Sequence, residues 1–360
     1  MAGTHQLGIR GAGDFVLTAA GRTLFDGRVE RPGGDTASAF LAAPDRRIAV
    51  ELAAGSASDV SLTQRVSLAR GFRAVSLSLC YAPPIAAPDE LLSEAEAVAS
   101  GADVAVVVVG TTEEFESEGF DRTTHRLPGR QDELVRRVAA ANPRTVVVVT
   151  AGSPVELPWA DDVAAVLLAW FGGQEAGHAL ADVLLGAAEP GGRLPTTWLA
   201  READCPVLRT TPDDGVIRYD EGVFIGYRGY ERAGIAPRYP FGHGLGYTTW
   251  TYEQIRAEPR QVTVTVRNTG RRAGREVVQV YAGPAEPDLD RPARWLAGFA
   301  AVTAGPGESR TVTIELPERT FQRWAARPTG DGWQTVSGEY VIEAARGRGD
   351  VRLAARVRVS

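Results

Sequence analysis

The chain has 360 residues, of which 44% are hydrophobic and 23% are charged, a composition typical of globular proteins with more than one hydrophobic core. Its 39 basic and 45 acidic residues give a net charge of −6, so no positive excess attracts nucleic acid or an anionic membrane surface. The two cysteines, Cys80 and Cys205, lack the spacing of a disulfide framework or a zinc site, and we expect both to be buried thiols.

Residues 1–82 predict a β domain. Short β-prone runs, such as 14–29 and 46–55, alternate with Gly, Pro and Asp turn signals at the spacing of an antiparallel sandwich. The N-terminal residues lack the charged and apolar regions of a secretion signal, and no apolar run is long enough to cross a bilayer. We therefore expect a cytoplasmic chain that does not associate with membranes.

The pattern changes after residue 82 to alternating helices and strands. Residues 89–101 predict a helix that ends at a glycine, and residues 102–110 predict a continuous apolar strand. The alternation continues through helical patterns at 130–142 and 174–186 and strand patterns at 144–152, 163–171 and 192–198. Such alternation favours a mostly parallel sheet covered by helices.

Strand patterns return in the last third of the chain. A polar, proline-rich stretch near 200–215 and an aromatic, glycine-rich segment precede them. The sequence therefore predicts an α/β plus all-β fold in four parts: a β-sandwich at 1–82, an α/β domain at 83–215, a linker and packing segment at 216–254, and a C-terminal β-sandwich at 255–360.

The loop after Gly110 is the segment best placed for chemistry, because ligand sites in parallel sheets lie beyond the carboxyl ends of the strands. Phe115 and Phe120 stand in it beside five carboxylates within nine residues: Glu113, Glu114, Glu116, Glu118 and Asp121. In crowded, partly apolar surroundings one carboxylic acid can keep its proton near neutral pH. Composition alone fits a solvated, charge-rich surface loop better, so the spacing does not decide between these interpretations.

Other motifs give weaker signals. The glycines near residue 10 precede no helix of a βαβ unit, and the FGGQEAGH segment lacks the lysine and hydroxyl of a phosphate loop. Ser153 is not in a GxSxG elbow, and the four histidines lack the paired spacing of metal ligands. We expect no cofactor and no metal.

The ordered segments VVVVGTTEEFESEGFDR, LLAWFGGQEAGHAL, RYDEGVFIGYRGYE and YPFGHGLGYTTW resemble glycoside hydrolase family 3. The resemblance covers about residues 89–255. Residues 1–82 resemble the latter part of the protective-antigen-type sandwich inserted into the α/β domain in one branch of that family. Residues 255–360 resemble the fibronectin type III-like domain that ends many such enzymes.

The resemblance implies a retaining exo-β-glycosidase, β-glucosidase-like, that acts on terminal non-reducing residues of β-glycosides. In the family a barrel supplies an aspartate nucleophile, and the loop that ESEGFDR resembles supplies the acid/base carboxylate. Glu118 is the matching position, and Glu116 and Asp121 are the alternatives. Arg122 either positions Glu118 or pairs with Asp121, and it is not assigned a catalytic role.

No segment of the sequence predicts the barrel, which needs about 250 residues. The resemblance implies that the first strand and helix of the α/β domain and the start of the inserted sandwich are also absent, so we expect exposed edges and apolar faces. One hypothesis is a truncated or split enzyme that needs a separate barrel chain or forms a homo-oligomer; another is a remnant without turnover of its own. The alternative function is a non-catalytic carbohydrate-binding or accessory protein.

Overall fold

A computed structural model describes residues 2–30, 43–55, 57–66, 75, 77–207, 211–288, 290–325 and 332–360. The parts of the predicted N-terminal sandwich at 31–42 and 67–74 lie outside these residues. The chain forms two compact units, one of residues 1–152 and 157–171 and the other of residues 153–156 and 172–360. The four predicted domain boundaries remain predictions.

The first unit begins with a small β-sandwich. Its strands are β1 Gly3–Arg10, β2 Gly13–Ala19, β3 Arg22–Val29, β4 Asp45–Leu52, β5 Val60–Arg65 and β6 Ser78–Ala82. They form two antiparallel three-stranded sheets in the orders β4-β1-β6 and β3-β2-β5. Alternate residues point into a shared core that contains Leu7 and Ile9 of one sheet and Phe15 and Leu17 of the other.

The rest of the first unit is the predicted parallel sheet with helices. Its elements are α1 Pro88–Ser100, β7 Ala105–Gly110, α2 Gln131–Ala141, β8 Thr145–Thr150 and β9 Ala165–Leu168. The strands pair in parallel in the order β7-β8-β9. Helix α2 packs on β7 and β8, and α1 packs on α2. Runs of valine favour these strands because a β-branched side chain packs well on a pleated surface.

Strand β7 is one of the two edge strands of this sheet among the described residues. Val107 and Val109 face the buried side, whereas Val106 and Val108 are 47% and 58% exposed. At its last residue, Gly110, the side-chain amide of Gln131 takes the place of a neighbouring strand: it accepts from the Gly110 N–H at 2.6 Å and donates to the Gly110 carbonyl at 2.9 Å. The exposed apolar face expected from the sequence is therefore present, and the carboxyl end of β7 is fixed.

Two details differ from the sequence-based expectations. Residues 192–198 form no regular strand, because Pro195 has no N–H to donate to a ladder; Trp198 makes an isolated antiparallel bridge with Tyr239 instead. Cys80 and Cys205 are free thiols, as expected, but each is only partly buried. No helix in the described parts of the chain is long and apolar enough to span a bilayer.

The described residues of the second unit contain two α-helices and the C-terminal sandwich. The helices are α3 Ala176–Leu184 and α4 Tyr227–Ala233, and the strands are β10 Trp250–Glu258, β11 Gln261–Asn268, β12 Gly274–Pro284, β13 Trp295–Ala304, β14 Ser309–Glu315, β15 Gln322–Ala325, β16 Gly332–Thr335, β17 Gly338–Gly347 and β18 Asp350–Val359. Sheets β10-β11-β14 and β13-β12-β17-β18 share one core, and β15 and β16 form a hairpin. The predicted mixture of an α/β region and all-β regions is confirmed.

A buried ion triad joins the loop before this sandwich to its strands. Glu276 of β12 has no exposed surface, and its carboxylate lies 3.0 Å from Arg193 Nη2 and 3.1 Å from Arg346 Nε. The two arginine side chains are only 8% and 15% exposed. Three charges out of water are stable only because each guanidinium has this carboxylate as a counter-ion.

Replacing Glu276 with Ala is expected to lower the free energy of unfolding by about 3–5 kcal/mol, because two buried guanidinium groups lose their shared counter-ion. The matched control is E253A, which removes a carboxylate from a more exposed pair with Arg267 in the same sandwich, where about 1 kcal/mol or less is at stake. Urea unfolding of both variants measures the difference. Equal losses would contradict the account of the triad.

His243 lies beside this triad. It is partly buried, and its ring stacks on Tyr239 with the ring centroids 5.0 Å apart. Burial, together with the positive charges of Arg193 and Arg346, lowers the pKa of His243 below its usual value. The folded protein therefore favours the neutral imidazole.

The lowered pKa of His243 predicts a stability that depends on pH. An unfolded histidine has a pKa of about 6.5, so below that pH the unfolded chain binds a proton that the folded chain does not. Stability is therefore full above about pH 6.5 and decreases as the pH falls toward the folded-state pKa. In thermal unfolding between pH 5 and 8, H243Q should lose part of this acid sensitivity, whereas the control H178Q, at an exposed position on α3, should keep it. Identical pH profiles for H243Q and the parent protein would exclude His243 as a source.

Candidate active site

The loop predicted to carry chemistry lies at the carboxyl ends of the strands of the parallel sheet. It follows β7 directly. Because β7, β8 and β9 are parallel, the segments after all three strands leave the sheet at the same end, where the strands have their carboxyl ends. Thr111 follows β7, Gly152 follows β8 and Phe171 follows β9. The side chains of the loop therefore meet backbone and side chains from two neighbouring connections.

The first two carboxylates of the loop pair with arginines of the N-terminal sandwich. Glu113 lies 2.6 Å from Arg10 of β1, and Glu114 lies 3.4 Å from Arg47 of β4. The carboxylate side chains are 76% and 65% exposed, so each pair contributes about 1 kcal/mol or less. These two residues attach the start of the loop to the sandwich.

Glu116 has a different environment. Its Oε2 atom accepts a hydrogen bond from the Thr111 hydroxyl at 2.6 Å and another from the Gly152 N–H at 3.2 Å. Arg122 Nη1 lies 4.0 Å from the same oxygen, and the two charged side chains are only 18% and 16% exposed. Glu116 is thus held at the base of the loop by groups that follow both β7 and β8.

Glu118 stands at the corner of a tight turn. Ser117 and Phe120 form an antiparallel bridge across the turn, and the Gly119 N–H donates to the Ser117 hydroxyl at 3.1 Å. Glu118 is exposed and makes no hydrogen bond or ion pair with any residue that the structure describes. Its carboxyl group is free to meet a ligand.

Residues of all three connections meet at Gly152. A Cβ atom at this position would lie 2.8 Å from Glu116 Oε1 and 2.8 Å from the Phe171 ring. Only glycine fits without displacing one of them. Trp170, the residue before Phe171, has a φ of +54°, a region that a bulky aromatic residue rarely adopts.

Aromatic surface surrounds the turn. Phe115 and Phe120 are 46% and 39% exposed, and Phe171 is 57% exposed. Exposed aromatic rings near a carboxylate are a common arrangement in sugar-binding sites, where a ring packs on the apolar face of a pyranose. Within the described residues, no group of three or more His, Cys, Asp or Glu side chains is placed to hold a metal ion.

The structure brings the sequence-predicted residues together in unequal ways. Glu116 and Arg122 pair with each other at the base, and Glu118 and Asp121 are exposed beyond it. The assignment of Glu118 as acid/base stays a prediction. Thr111, Gly152 and Phe171 were not predicted as site residues, and the sequence signals only that Gly152, after a buried strand, leaves room for a neighbour to approach the backbone.

Family comparisons agree with this architecture. Residues 34–247, more than half of the chain, match the C-terminal domain of glycosyl hydrolase family 3, and residues 276–347 match a fibronectin type III-like domain. The chain belongs to glycoside hydrolase family 3. The predicted family and the fibronectin type III-like character of the C-terminal sandwich are confirmed.

Family 3 relatives share long stretches of this chain. It is 42% identical to thermostable β-glucosidase B of Acetivibrio thermocellus over 281 residues, which are 76% of the chain and 37% of the relative. It is 40% identical to a probable β-glucosidase I of Aspergillus flavus over 285 residues, 75% of the chain and 34% of the relative. The chain therefore spans little more than a third of the length of these curated relatives.

Solved structures extend the similarity to the N-terminal sandwich. The β-glucosidase of Kluyveromyces marxianus, determined in complex with glucose, matches all of this chain with a TM-score of 0.89 and 31% identity, over 43% of its own chain. DesR, a β-glucosidase of Streptomyces venezuelae in complex with D-glucose, matches all of it with a TM-score of 0.74 and 30% identity, over 45% of its chain. The chain is a β-glucosidase-like region of family 3.

The contact at Gly152 gives a test of the site. G152A is expected to destabilise the first unit by about 1–3 kcal/mol, because the new methyl group overlaps Glu116 and Phe171. The control is G101A at the end of α1, where φ is −92° and the nearest atom to a new Cβ would be 3.9 Å away. Thermal unfolding compares the two variants. A G152A protein as stable as G101A would show that the three connections do not pack as described.

Proposed function

We propose that this chain supplies the general acid/base, Glu118, of a retaining exo-β-glycosidase of the β-glucosidase type. The nucleophile comes from a barrel domain that lies outside these 360 residues. The observation that carries the proposal is the contrast between two carboxylates. Glu116 is hydrogen bonded at the base of the loop, whereas Glu118 is exposed at the tip of the turn with its carboxyl group unengaged.

The chemistry requires a carboxyl group that can both give and take a proton. In the first step the nucleophile attacks the anomeric carbon while protonated Glu118 donates its proton to the glycosidic oxygen, and the aglycone leaves as an alcohol. In the second step Glu118, now a carboxylate, removes a proton from the water that attacks the glycosyl-enzyme, and the sugar is released with its configuration retained. A position about 5–5.5 Å from the nucleophile suits this exchange of roles.

The proposed substrate is a β-glucoside with a terminal non-reducing glucosyl residue. The relatives in Acetivibrio thermocellus and Kluyveromyces marxianus are named β-glucosidases, and the latter structure contains glucose. The exposed phenylalanines beside Glu118 supply apolar surface of the kind that packs on a pyranose ring. No cofactor takes part in this proposed reaction, because the two carboxylates perform both proton and glycosyl transfer.

The proposal is tested by adding a separately produced family 3 barrel domain to the full chain. The chain alone is expected to leave cellobiose and aryl β-glucosides intact, and the mixture is expected to hydrolyse them. A monomeric chain that turns over these substrates by itself would refute the requirement for a barrel. Binding of glucose without turnover in the mixture would support the carbohydrate-binding alternative.

The role of Glu118 has its own test in the active mixture. E118Q is expected to reduce the turnover of cellobiose by about 10²–10⁴-fold, since the leaving sugar then receives no proton. The first step with 2,4-dinitrophenyl β-glucoside should be much less affected, because dinitrophenolate leaves without protonation. D121N tests the other exposed carboxylate, and E94Q, at an exposed position on α1, is the control. If D121N shows the leaving-group dependence and E118Q does not, the assignment moves to Asp121.

A further inference from the structure

We propose that Glu116 is a positioning residue that holds the turn bearing Glu118 in place, through hydrogen bonds to Thr111 and Gly152. This inference rests on the proposed role of Glu118. Glu116 is not itself a catalytic group, because its hydrogen-bonding oxygen is occupied by protein donors at the base of the loop. It determines where the acid/base carboxyl group stands.

The anchoring contacts come from two different connections of the sheet. The Thr111 hydroxyl belongs to the residue that follows β7, and the Gly152 N–H belongs to the segment that follows β8. Thr111 itself is buried, with 6% of its surface exposed. A single oxygen of Glu116 therefore ties the loop to the segments that follow two adjacent parallel strands.

The charge of Glu116 adds to these hydrogen bonds. Hydrogen bonds to an ionised carboxylate are shorter and stronger than those between neutral groups. Arg122, whose side chain is as little exposed as that of Glu116, lies on the other side of the turn in sequence and 4.0 Å from the same oxygen. The Glu116 and Arg122 pair thus brackets residues 117–121 at both ends and leaves the corner at Glu118 free.

Position is decisive for an acid/base group. Proton transfer needs the donor within about 2.6–3.2 Å of the glycosidic oxygen. A displacement of 1 Å by a change elsewhere can reduce turnover by about 10²-fold. A turn that is exposed at its tip needs such an anchor at its base, since the tip has no described partner of its own.

Variants of Thr111 and Glu116 separate anchoring from general stability. T111V removes the hydroxyl with little change in volume, and T111S keeps the hydroxyl. E116Q keeps an acceptor oxygen and removes the charge. E94Q removes an exposed carboxylate from α1 and is the matched control.

The first measurement is amide hydrogen exchange on the full chain without any barrel. Residues 117–122 should exchange at least about fivefold faster in T111V and E116Q, because the base of the turn opens more often when an anchoring bond is lost, as in T111V, or loses its charge, as in E116Q. T111S and E94Q should exchange like the parent chain in this segment. Unchanged exchange in both T111V and E116Q would overturn the inference, whatever the activity of the protein.

The second measurement is turnover in the mixture with a barrel domain. T111V is expected to lower the turnover of cellobiose about tenfold and E116Q up to about 10²-fold, and T111S should restore most of the loss. The losses with 2,4-dinitrophenyl β-glucoside should be smaller, as they are for E118Q. Equal losses with both substrates would indicate a merely structural role and would overturn the inference. Absence of the leaving-group dependence in E118Q itself would instead refute the proposed function.

Discussion

The parallel register of three strands is the constraint on which the candidate site depends. Because β7, β8 and β9 run in the same direction and are paired residue by residue, their carboxyl ends lie side by side. Residues that follow each strand can therefore touch although they are far apart in sequence: Glu116 reaches Gly152, and Phe171 packs on that same glycine. If β8 ran antiparallel to its neighbours, the segment that follows it would leave the sheet at the opposite end. The contacts in the candidate site therefore depend first on the parallel direction of the strands, and only then on the individual side chains.

The five carboxylates of the loop divide into groups with different tasks. Glu113 and Glu114 make exposed pairs with the N-terminal sandwich, which are weakened by water and salt. Glu116 is engaged by two hydrogen bonds and a nearby guanidinium at the base. Glu118 and Asp121 remain on the exposed part. The sequence suggests a uniform acidic surface, but the carboxylates of the loop have three different environments: paired with the sandwich, hydrogen bonded at the base, or exposed.

Much of the fold was predictable because its signals are local. The valine-rich strands β7 and β8 and the amphipathic helix α2 follow from hydrophobic periodicity, and their observed bounds lie within three residues of the predicted ones. The strand predicted at residues 192–198 is wrong, because Pro195 has no N–H to donate to a ladder and only Trp198 makes a bridge. Glu118 was predicted as the acid/base residue from the resemblance to family 3. The partners of Glu116 were not predictable, since Thr111 and Gly152 meet it through the pairing of strands, which no local pattern specifies.

The same reasoning explains why neighbouring carboxylates in one short motif need not share a role. A carboxylate whose oxygen accepts hydrogen bonds from two fixed donors is held in one place, and that oxygen is not available to a ligand. Such a group is well placed to anchor a loop. A carboxyl group at an exposed turn, with no fixed donor among the described residues, is accessible to a ligand. The hydrogen bonds from Thr111 and Gly152 fix Glu116 at the base of the loop, whereas the acid/base role proposed for Glu118 depends on its exposed place at the corner of the turn.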